Sequence, residues 1–228
     1  MRFNELAWAG LCFYYRSVGD RRYSAIMSDH EFLTKLRYNP EELSMKEFEE
    51  KAILGFINIQ NYDLLIEHKL TESILTKIIQ LRDEISMLRD LSLIECNLDD
   101  QKLVKGINCI CSELYVDGLW ATGASKIAHL LNDRLLPPIS LDIARHFGIQ
   151  YRKDVTPWLL RMQCDIQEAT DDFHTQKFEG APEKFLSDRL RYTALGYEKA
   201  LVKFADEYYW LCYDDKLPIP PYWVPFSN

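Results

Sequence analysis

The sequence predicts an all-α fold, and three observations support this prediction. Apolar residues recur at helical spacing along most of the 228 residues. Only nine Gly and nine Pro interrupt the chain, which leaves room for long helices. Alternating apolar and polar runs, which are typical of strands, are few. We therefore expect one helical domain over residues 1–228, either as a single body or as two lobes around a cleft near residues 120–145.

Three helices are predicted in the first half of the chain. Ser44 and Glu47 form a capping box, which predicts a helix that starts there. A stripe of apolar residues predicts a second helix from about Glu72 to Leu91. The pair Asp99-Asp100 predicts the start of a third, because acidic side chains in the first turn interact favourably with the helix dipole.

Prolines and glycines divide the second half. A break at residues 137–138 precedes a short helix from Asp142 to Phe147, which Gly148 ends. Thr156-Pro157 predicts the start of a helix that runs to about Asp172. Residues 183–212 predict one or two further helices, and the proline-rich end of the chain is expected to pack as an extended strap.

Charge and cysteine content narrow the possible partners. A formal net charge of −8 argues against a uniformly basic surface for nucleic acid, although it permits a local basic patch. The six cysteines include no CxxC pair and no zinc-ligand spacing, so we expect reduced thiols. The sequence has no membrane-spanning apolar run and no signal-peptide pattern. We expect a cytoplasmic or nucleoid protein with no membrane contact, and no feature of the sequence points to an obligate protein partner.

Residues 113–131, ELYVDGLWATGASKIAHLL, predict a helical hairpin. Asp117-Gly118 is a turn dipeptide, and Gly123 directly precedes a helix that starts at Ala124. A tight glycine turn that leads into a helix leaves backbone N–H groups that can bind a phosphate. An ordinary hairpin of two helices that needs glycine only for its turn explains the same spacing.

Residues 113–148 together resemble the helix-hairpin-helix DNA glycosylase superfamily. Its members have a Gly-x-Gly hairpin, a helix, a Pro-containing loop and an Asp preceded by an apolar residue. The resemblance covers 36 of 228 residues. Gly118 and Gly123 are five residues apart here instead of two, and the position of the lysine in the lyase members falls on Ser125, with Lys126 beside it.

The catalytic Asp of that family has two possible positions in this chain. Aligning the Ala144-Arg145 pair places it on Ser140, whereas matching the apolar-Asp dipeptide of the loop places it on Asp142. We prefer Asp142, because only its side chain can supply the carboxylate that stabilises an oxocarbenium-like transition state.

The resemblance implies a DNA glycosylase that excises a flipped-out damaged or modified base, in repair or in defence against foreign DNA. Because Ser125 is not an amine, we expect base release without strand cleavage; Lys126 would be turned about 100° from that position. The resemblance implies no organic cofactor, but a monovalent cation on the backbone carbonyls of the hairpin. We predict no other metal.

The expected DNA-binding surface follows the hairpin and the basic segment after it, where five basic residues outnumber two acidic ones between Lys126 and Lys153. The predicted DNA-binding residues are Gly118, Gly123, Ala124, Ser125, Lys126, Arg134 and Arg145.

A flipped-out base needs flat side chains around it or a wedge in its place. Four aromatic residues are candidates for these roles, with core packing as the rival role for each. They are Trp120, Tyr14, Tyr15 and Trp158.

Two other functions fit the sequence. In the first, Ser140 occupies the Asp position and the chain is a non-catalytic DNA-binding protein. In the second, the segment from Gly118 to Gly123 is only a turn and the chain is a helical protein-interaction domain, which the net charge of −8 favours.

Overall fold

The computed structural model describes residues 1–16, 18–57 and 64–217, and helices dominate these residues, which confirms the all-α prediction. In this part of the chain, the only β-pairing is an isolated antiparallel bridge between Gln150 and Asp154.

The described residues form twelve helices, two of which continue into π-helical segments, over Glu49–Ile57 and Trp210–Asp214. The helices are α1 (Phe3–Arg16), α2 (Val18–Met27), α3 (His30–Tyr38), α4 (Met45–Phe48), α5 (Leu64–Gln80), α6 (Arg82–Leu88), α7 (Gln101–Leu114), α8 (Trp120–Leu131), α9 (Leu141–Phe147), α10 (Thr156–Thr175), α11 (Pro182–Arg189) and α12 (Leu201–Tyr209).

Capping residues set several of these boundaries where the sequence predicts them. Ser44 Oγ accepts a hydrogen bond from Glu47 N at 3.1 Å, and α4 begins at the next residue. Asp100 Oδ1 accepts from Lys102 N at 2.8 Å at the start of α7. Gly148, with φ of +65°, ends α9 in the left-handed conformation that glycine adopts without steric cost.

Other boundaries differ from the prediction. The helix expected from Glu72 to Leu91 is interrupted at Leu81 and ends at Leu88. The region 183–212 contains two helices, α11 and α12. The strap expected at the end of the chain lies mostly outside the described residues.

One continuous apolar core connects most of the helices. A smaller cluster of Trp8, Ala9, Phe13 and Leu211 lies between α1 and the end of α12. None of the six cysteines, all of which lie within the described residues, forms a disulfide bond. None of the helices within the described ranges is long and apolar enough to cross a membrane.

Candidate functional site

The predicted hairpin is a pair of helices joined by a short turn, but the turn lies earlier than expected. Because α7 ends at Leu114 and α8 begins at Trp120, the turn covers residues 115–119. Gly118 lies in this turn with φ of +92°. The tight turn predicted over residues 118–124 is therefore wrong, and the helix-hairpin-helix motif itself is not confirmed.

Gly123 lies inside α8. Its N–H donates to Leu119 O at 3.1 Å, and a Cβ at this position would lie 2.4 Å from Leu119 Cδ1. Glycine is therefore needed here for close packing rather than for a turn. Ala124 and Ser125, which follow in the same helix, are completely buried. Gly123, Ala124 and Ser125 thus cannot form the outward-facing phosphate cradle that the sequence predicted.

Ser125 fastens the loop before α9 to α8. Its Oγ accepts a hydrogen bond from Ile139 N at 2.8 Å and lies 3.0 Å from Thr122 O and 3.3 Å from Ile139 O, to either of which it can donate. These bonds occupy the hydroxyl of a buried side chain. They explain how the loop is held in place, and they leave no position from which Ser125 could act on a substrate.

A cavity of about 240 Å³ lies where this loop meets α8 and α12. Both π-helical segments contribute a residue to its wall, and π-helical turns are frequent at functional sites. The cavity combines aromatic rings with charged and hydroxyl side chains. The aromatic lining residues are Phe13, Tyr23, Phe56 and Trp210, and the polar ones are Thr122, Lys126, Ser140, Lys203 and Asp206.

Lys126 lines this cavity without an ion-pair partner among the described residues. Its Nζ lies 5.5 Å from the centroid of the Phe56 ring. Burial lowers the pKa of Lys126, and the nearby charges of Lys203 and Arg22 lower it further, although Asp206 has the opposite effect. A lysine in such a place gives up its proton more readily than one in water.

Helix α12 buries a row of paired charges beneath the same cavity. Lys203 Nζ lies 2.6 Å from Asp206 Oδ2 and 3.3 Å from Glu207 Oε1. Lys199 Nζ lies 2.5 Å from Glu207 Oε1 and 2.8 Å from Asp20 Oδ1. Burial opposes the charge on Lys203, but Asp206 and Glu207 outweigh it and raise the pKa of this lysine. Lys203 is therefore a fixed positive charge.

His129 lies behind the cavity, hydrogen-bonded to one of its walls. A ring nitrogen facing a carbonyl must donate, so Nδ1–H donates to Leu136 O at 2.7 Å, and Nε2 accepts from the Tyr23 hydroxyl at 3.1 Å. Burial lowers the pKa of His129 to about 4. The ring is neutral near pH 7, and its two hydrogen bonds give it a structural role in the core.

The two positions considered for the catalytic Asp differ in their access to the cavity. Ser140 lines the cavity and caps α9, since its Oγ accepts from Ile143 N at 3.1 Å. Asp142 is exposed, does not line the cavity and forms an ion pair with Arg145 at 3.5 Å. The geometry therefore favours Ser140 as the residue that faces a bound group.

The basic DNA-binding surface is only partly present. Arg134 and Arg145 are exposed, but each has an acidic partner, Glu183 at 3.8 Å and Asp142 at 3.5 Å. Lys126 lies in the cavity instead of on this surface. Arg152 and Lys153, at the end of the same segment, are exposed as well, so Lys126 is the one basic residue of the expected patch that lies elsewhere.

Three of the four aromatic candidates are on the surface. Trp120 is 57% exposed and has φ of +53°, a conformation that bulky residues seldom adopt. Tyr14 and Tyr15 are exposed on α1. Trp158 is 3% exposed, and its ring centroid lies 4.8 Å from that of Phe147. Trp158 therefore packs mainly in the core, although it also lines a separate cavity between α9 and α10, and its base-contacting role stays a prediction.

Two backbone carbonyls of the hairpin form hydrogen bonds within the chain itself. Val116 O accepts hydrogen bonds from Leu119 N and Trp120 N, and Leu119 O accepts from Gly123 N. These carbonyls are engaged within the turn and the first turn of α8, and the monovalent cation that the resemblance implies stays a prediction. Within the described ranges, no cluster of three or more His, Cys, Asp or Glu side chains could hold a metal.

Several cavity residues were missed at the level of sequence, above all Tyr23, Phe56, Lys203 and Asp206. A signal for the last two exists in LVKFADEYYW, where charged residues at i, i+3 and i+4 interrupt an otherwise apolar helix. Charged side chains within an otherwise buried helix are typical of a functional site or of an internal ion-pair network.

Comparison of the chain with protein-family models, with curated proteins and with solved structures gives no match.

Proposed function

We propose that the chain is a DNA glycosylase that releases a damaged or modified base without cutting the strand. The observation that supports this proposal is the cavity, in which Lys126, a half-buried lysine without an ion-pair partner among the described residues, faces aromatic walls beside the hairpin. Unpaired buried charge is costly, and its presence in a cavity is typical of a functional site.

The cavity suits a single flat, polar-edged ring system. Its volume of about 240 Å³ is smaller than that of most sites for drug-sized ligands, which are roughly 300–1,000 Å³. Phe13, Tyr23, Phe56 and Trp210 provide ring faces against which a flipped-out base can stack. The cationic and anionic groups that also line the cavity can bond to donors and acceptors on the edge of the base.

In this mechanism, Lys126 acts on the leaving base. Breaking an N-glycosidic bond leaves an electron pair on the base nitrogen and positive charge on the sugar. The Lys126 ammonium can donate a proton to the departing base, and its lowered pKa makes this transfer easier. The carboxylate of Asp206 lies in the same cavity and can stabilise the positive charge on the sugar.

DNA would approach over the outer end of the hairpin. Trp120 is exposed at the start of α8, two residues before Thr122 of the cavity wall, so it can fill the gap that a flipped-out base leaves. Arg134 and Arg145 can contact phosphates if the DNA displaces Glu183 and Asp142. With a net charge of −8, affinity must depend on few contacts and fall with added salt.

The test is a base-release assay on duplex oligonucleotides that each contain one uracil, hypoxanthine, 8-oxoguanine or 3-methyladenine. We expect free base and a heat-labile abasic site from at least one of them, with no strand break before heating. Treatment with borohydride should trap no covalent complex. A trapped complex would instead make Lys126 a nucleophile and strand cleavage a part of the reaction. Intact bases in every duplex would contradict the proposal.

A non-catalytic DNA-binding protein is the second candidate, because Ser140 and not Asp142 faces the cavity. This alternative predicts salt-dependent binding to the same duplexes, measured by fluorescence anisotropy, with every base intact.

A further inference from the structure

Ser140 and Asp214 form a hydroxyl–carboxylate pair at the wall of the cavity. Ser140 Oγ donates a hydrogen bond to Asp214 Oδ1 across 2.8 Å. Asp214 belongs to the π-helical segment that continues α12 and does not itself line the cavity. A helix cap needs only the acceptor function of the serine, so this second bond has no role in capping α9.

The hydrogen bonds of Ser140 leave one position open. A serine hydroxyl has one donor and two acceptor sites. Asp214 takes the donor, and the N–H of Ile143 takes one acceptor at 3.1 Å. The remaining acceptor site can bind a donor inside the cavity, and a water molecule in that position would have its proton directed at Ser140.

We propose that Ser140 and Asp214 position and deprotonate the water that attacks the sugar. Through Ser140, Asp214 would supply the carboxylate that Asp142 does not bring to the cavity. This inference rests on the proposed glycosylase function. Ser140 contacts the reacting water, whereas Asp214 is a positioning residue that acts through Ser140.

The step is a balanced hydrolysis. The water oxygen bonds to the sugar C1′, and the bond from C1′ to the base nitrogen breaks with its electron pair on the base. One water proton passes to Ser140 Oγ while the serine proton passes to Asp214, and the base takes a proton from Lys126. The products are the free base and an abasic sugar, and solvent returns the proton from Asp214 to Lys126.

The surroundings of Asp214 suit a general base. Burial raises the pKa of Asp214, and the negative charges of Asp142, Asp206 and Asp215 raise it further, whereas the bond from Ser140 lowers it. A carboxylate with a raised pKa is a stronger proton acceptor than one in water.

The experiment compares variants in single-turnover base release on whichever of the four modified duplexes the parent protein processes. Asp214→Asn keeps the size and an acceptor oxygen but cannot take a proton. Ser140→Asn keeps an N-cap but cannot relay a proton, whereas Ser140→Thr keeps both functions. Asp215→Asn, one residue further on, is the matched control. Circular dichroism and thermal unfolding establish that each variant is folded.

We expect Asp214→Asn and Ser140→Asn each to lower the saturating rate about 10²–10³-fold, with little change in the duplex concentration at half saturation. The double variant should be no slower than the slower single one, because both changes break one relay. Ser140→Thr and Asp215→Asn should retain most of the rate. The rate of the parent should fall as the pH is lowered and Asp214 is protonated, and Asp214→Asn should lack this decline.

The inference fails by itself if the parent releases a base and folded Asp214→Asn is as fast. It also fails if Ser140→Asn retains the parent rate. Absence of base release from all four duplexes by the parent protein would instead overturn the proposed function and this inference together.

Discussion

Lys126 on α8 and Lys203 on α12 line the same cavity, yet their pKa values move in opposite directions. Burial disfavours the charge on both lysines. Lys203 has Asp206 and Glu207 within 3.3 Å to offset that cost. Lys126 has no ion-pair partner among the described residues, and the positive charges of Lys203 and Arg22 oppose its own charge, whereas Asp206 favours it.

The comparison separates structural charge from functional charge. A buried ion whose partners are in place holds helices together, and removing one partner leaves the others desolvated. A buried ion without such partners lowers stability, and a cost of this kind is typical of residues kept for chemistry. Substitutions of the two kinds of charged side chain should therefore have different effects on stability and on base release.

The largest effect is expected for Lys199→Met in the α12 charge network. This change leaves Asp20 and Glu207 without their shared cation, so the free energy of unfolding should fall by about 3–5 kcal/mol. Urea unfolding measures it. Lys184→Met is the control, because Lys184 is exposed in its pair with Asp188 and should cost less than about 1 kcal/mol. Equal losses in the two variants would contradict a structural role for the α12 network.

Lys126→Met should affect base release and not stability, the reverse of what we expect for Lys199→Met. Stability should be unchanged or slightly higher, because an apolar side chain replaces a half-buried amine without an ion-pair partner among the described residues. Base release should slow by about 10²–10³-fold, because proton donation to the leaving base is lost. The same urea and base-release assays apply. A variant that is both less stable and fully active would assign Lys126 to the structure and not to the chemistry.

His129 should make the free energy of unfolding depend on pH. Like Lys126, it lies on α8, and burial disfavours its charged form. Its folded pKa of about 4 lies below the ordinary 6.5, so below pH 6.5 the unfolded chain binds a proton that the folded chain excludes. The free energy of unfolding should therefore fall between pH 6.5 and pH 4 by roughly 3 kcal/mol, and this contribution should level off below pH 4.

The control for this prediction is His129→Gln, which does not titrate. Subtracting its pH profile from that of the parent removes the contribution of carboxylates that titrate in the same range. If the two urea-unfolding profiles are parallel between pH 6.5 and pH 4, His129 is not held neutral by the fold.

Local signals predicted much of the fold. Ser44 and Asp100 define helix starts through bonds to residues two or three positions away, and Gly148 ends α9 through its own φ, so the sequence alone contains the relevant information. The prediction of a turn at Gly123 is wrong because glycine can be required for packing as well as for a turn. Gly123 lies within a helix, and a small residue is needed there because the Leu119 side chain packs against it. Only the folded structure reveals this contact.

The candidate site was less predictable, because five helices and a loop converge on it. The hairpin resemblance drew attention to Lys126 and Ser140 but not to Asp206 on α12 or to Tyr23 on α2, which approach only through tertiary packing. The pair of Ser140 with Asp214 joins residues 74 positions apart. No local pattern connects such positions, so the sequence alone points to the nearby Asp142 as the carboxylate.

Asp142→Asn should have the smallest effect on the rate of base release. That result would indicate that the catalytic groups are those at the cavity and not Asp142. Asp142 is exposed, and it pairs with an exposed Arg145 at 3.5 Å, an ion pair that contributes little to stability. Its charge acts on Asp214 only through space, so neutralising it should change the base-release rate by about twofold at most. Salt-dependent DNA affinity should rise slightly, because Arg145 is freed to contact phosphate.

A loss of base release as large as that expected for Lys126→Met, in a normally stable protein, would restore Asp142 as the catalytic carboxylate. Such a loss would mean that DNA binding rearranges α9, since Asp142 does not line the cavity in the structure described here.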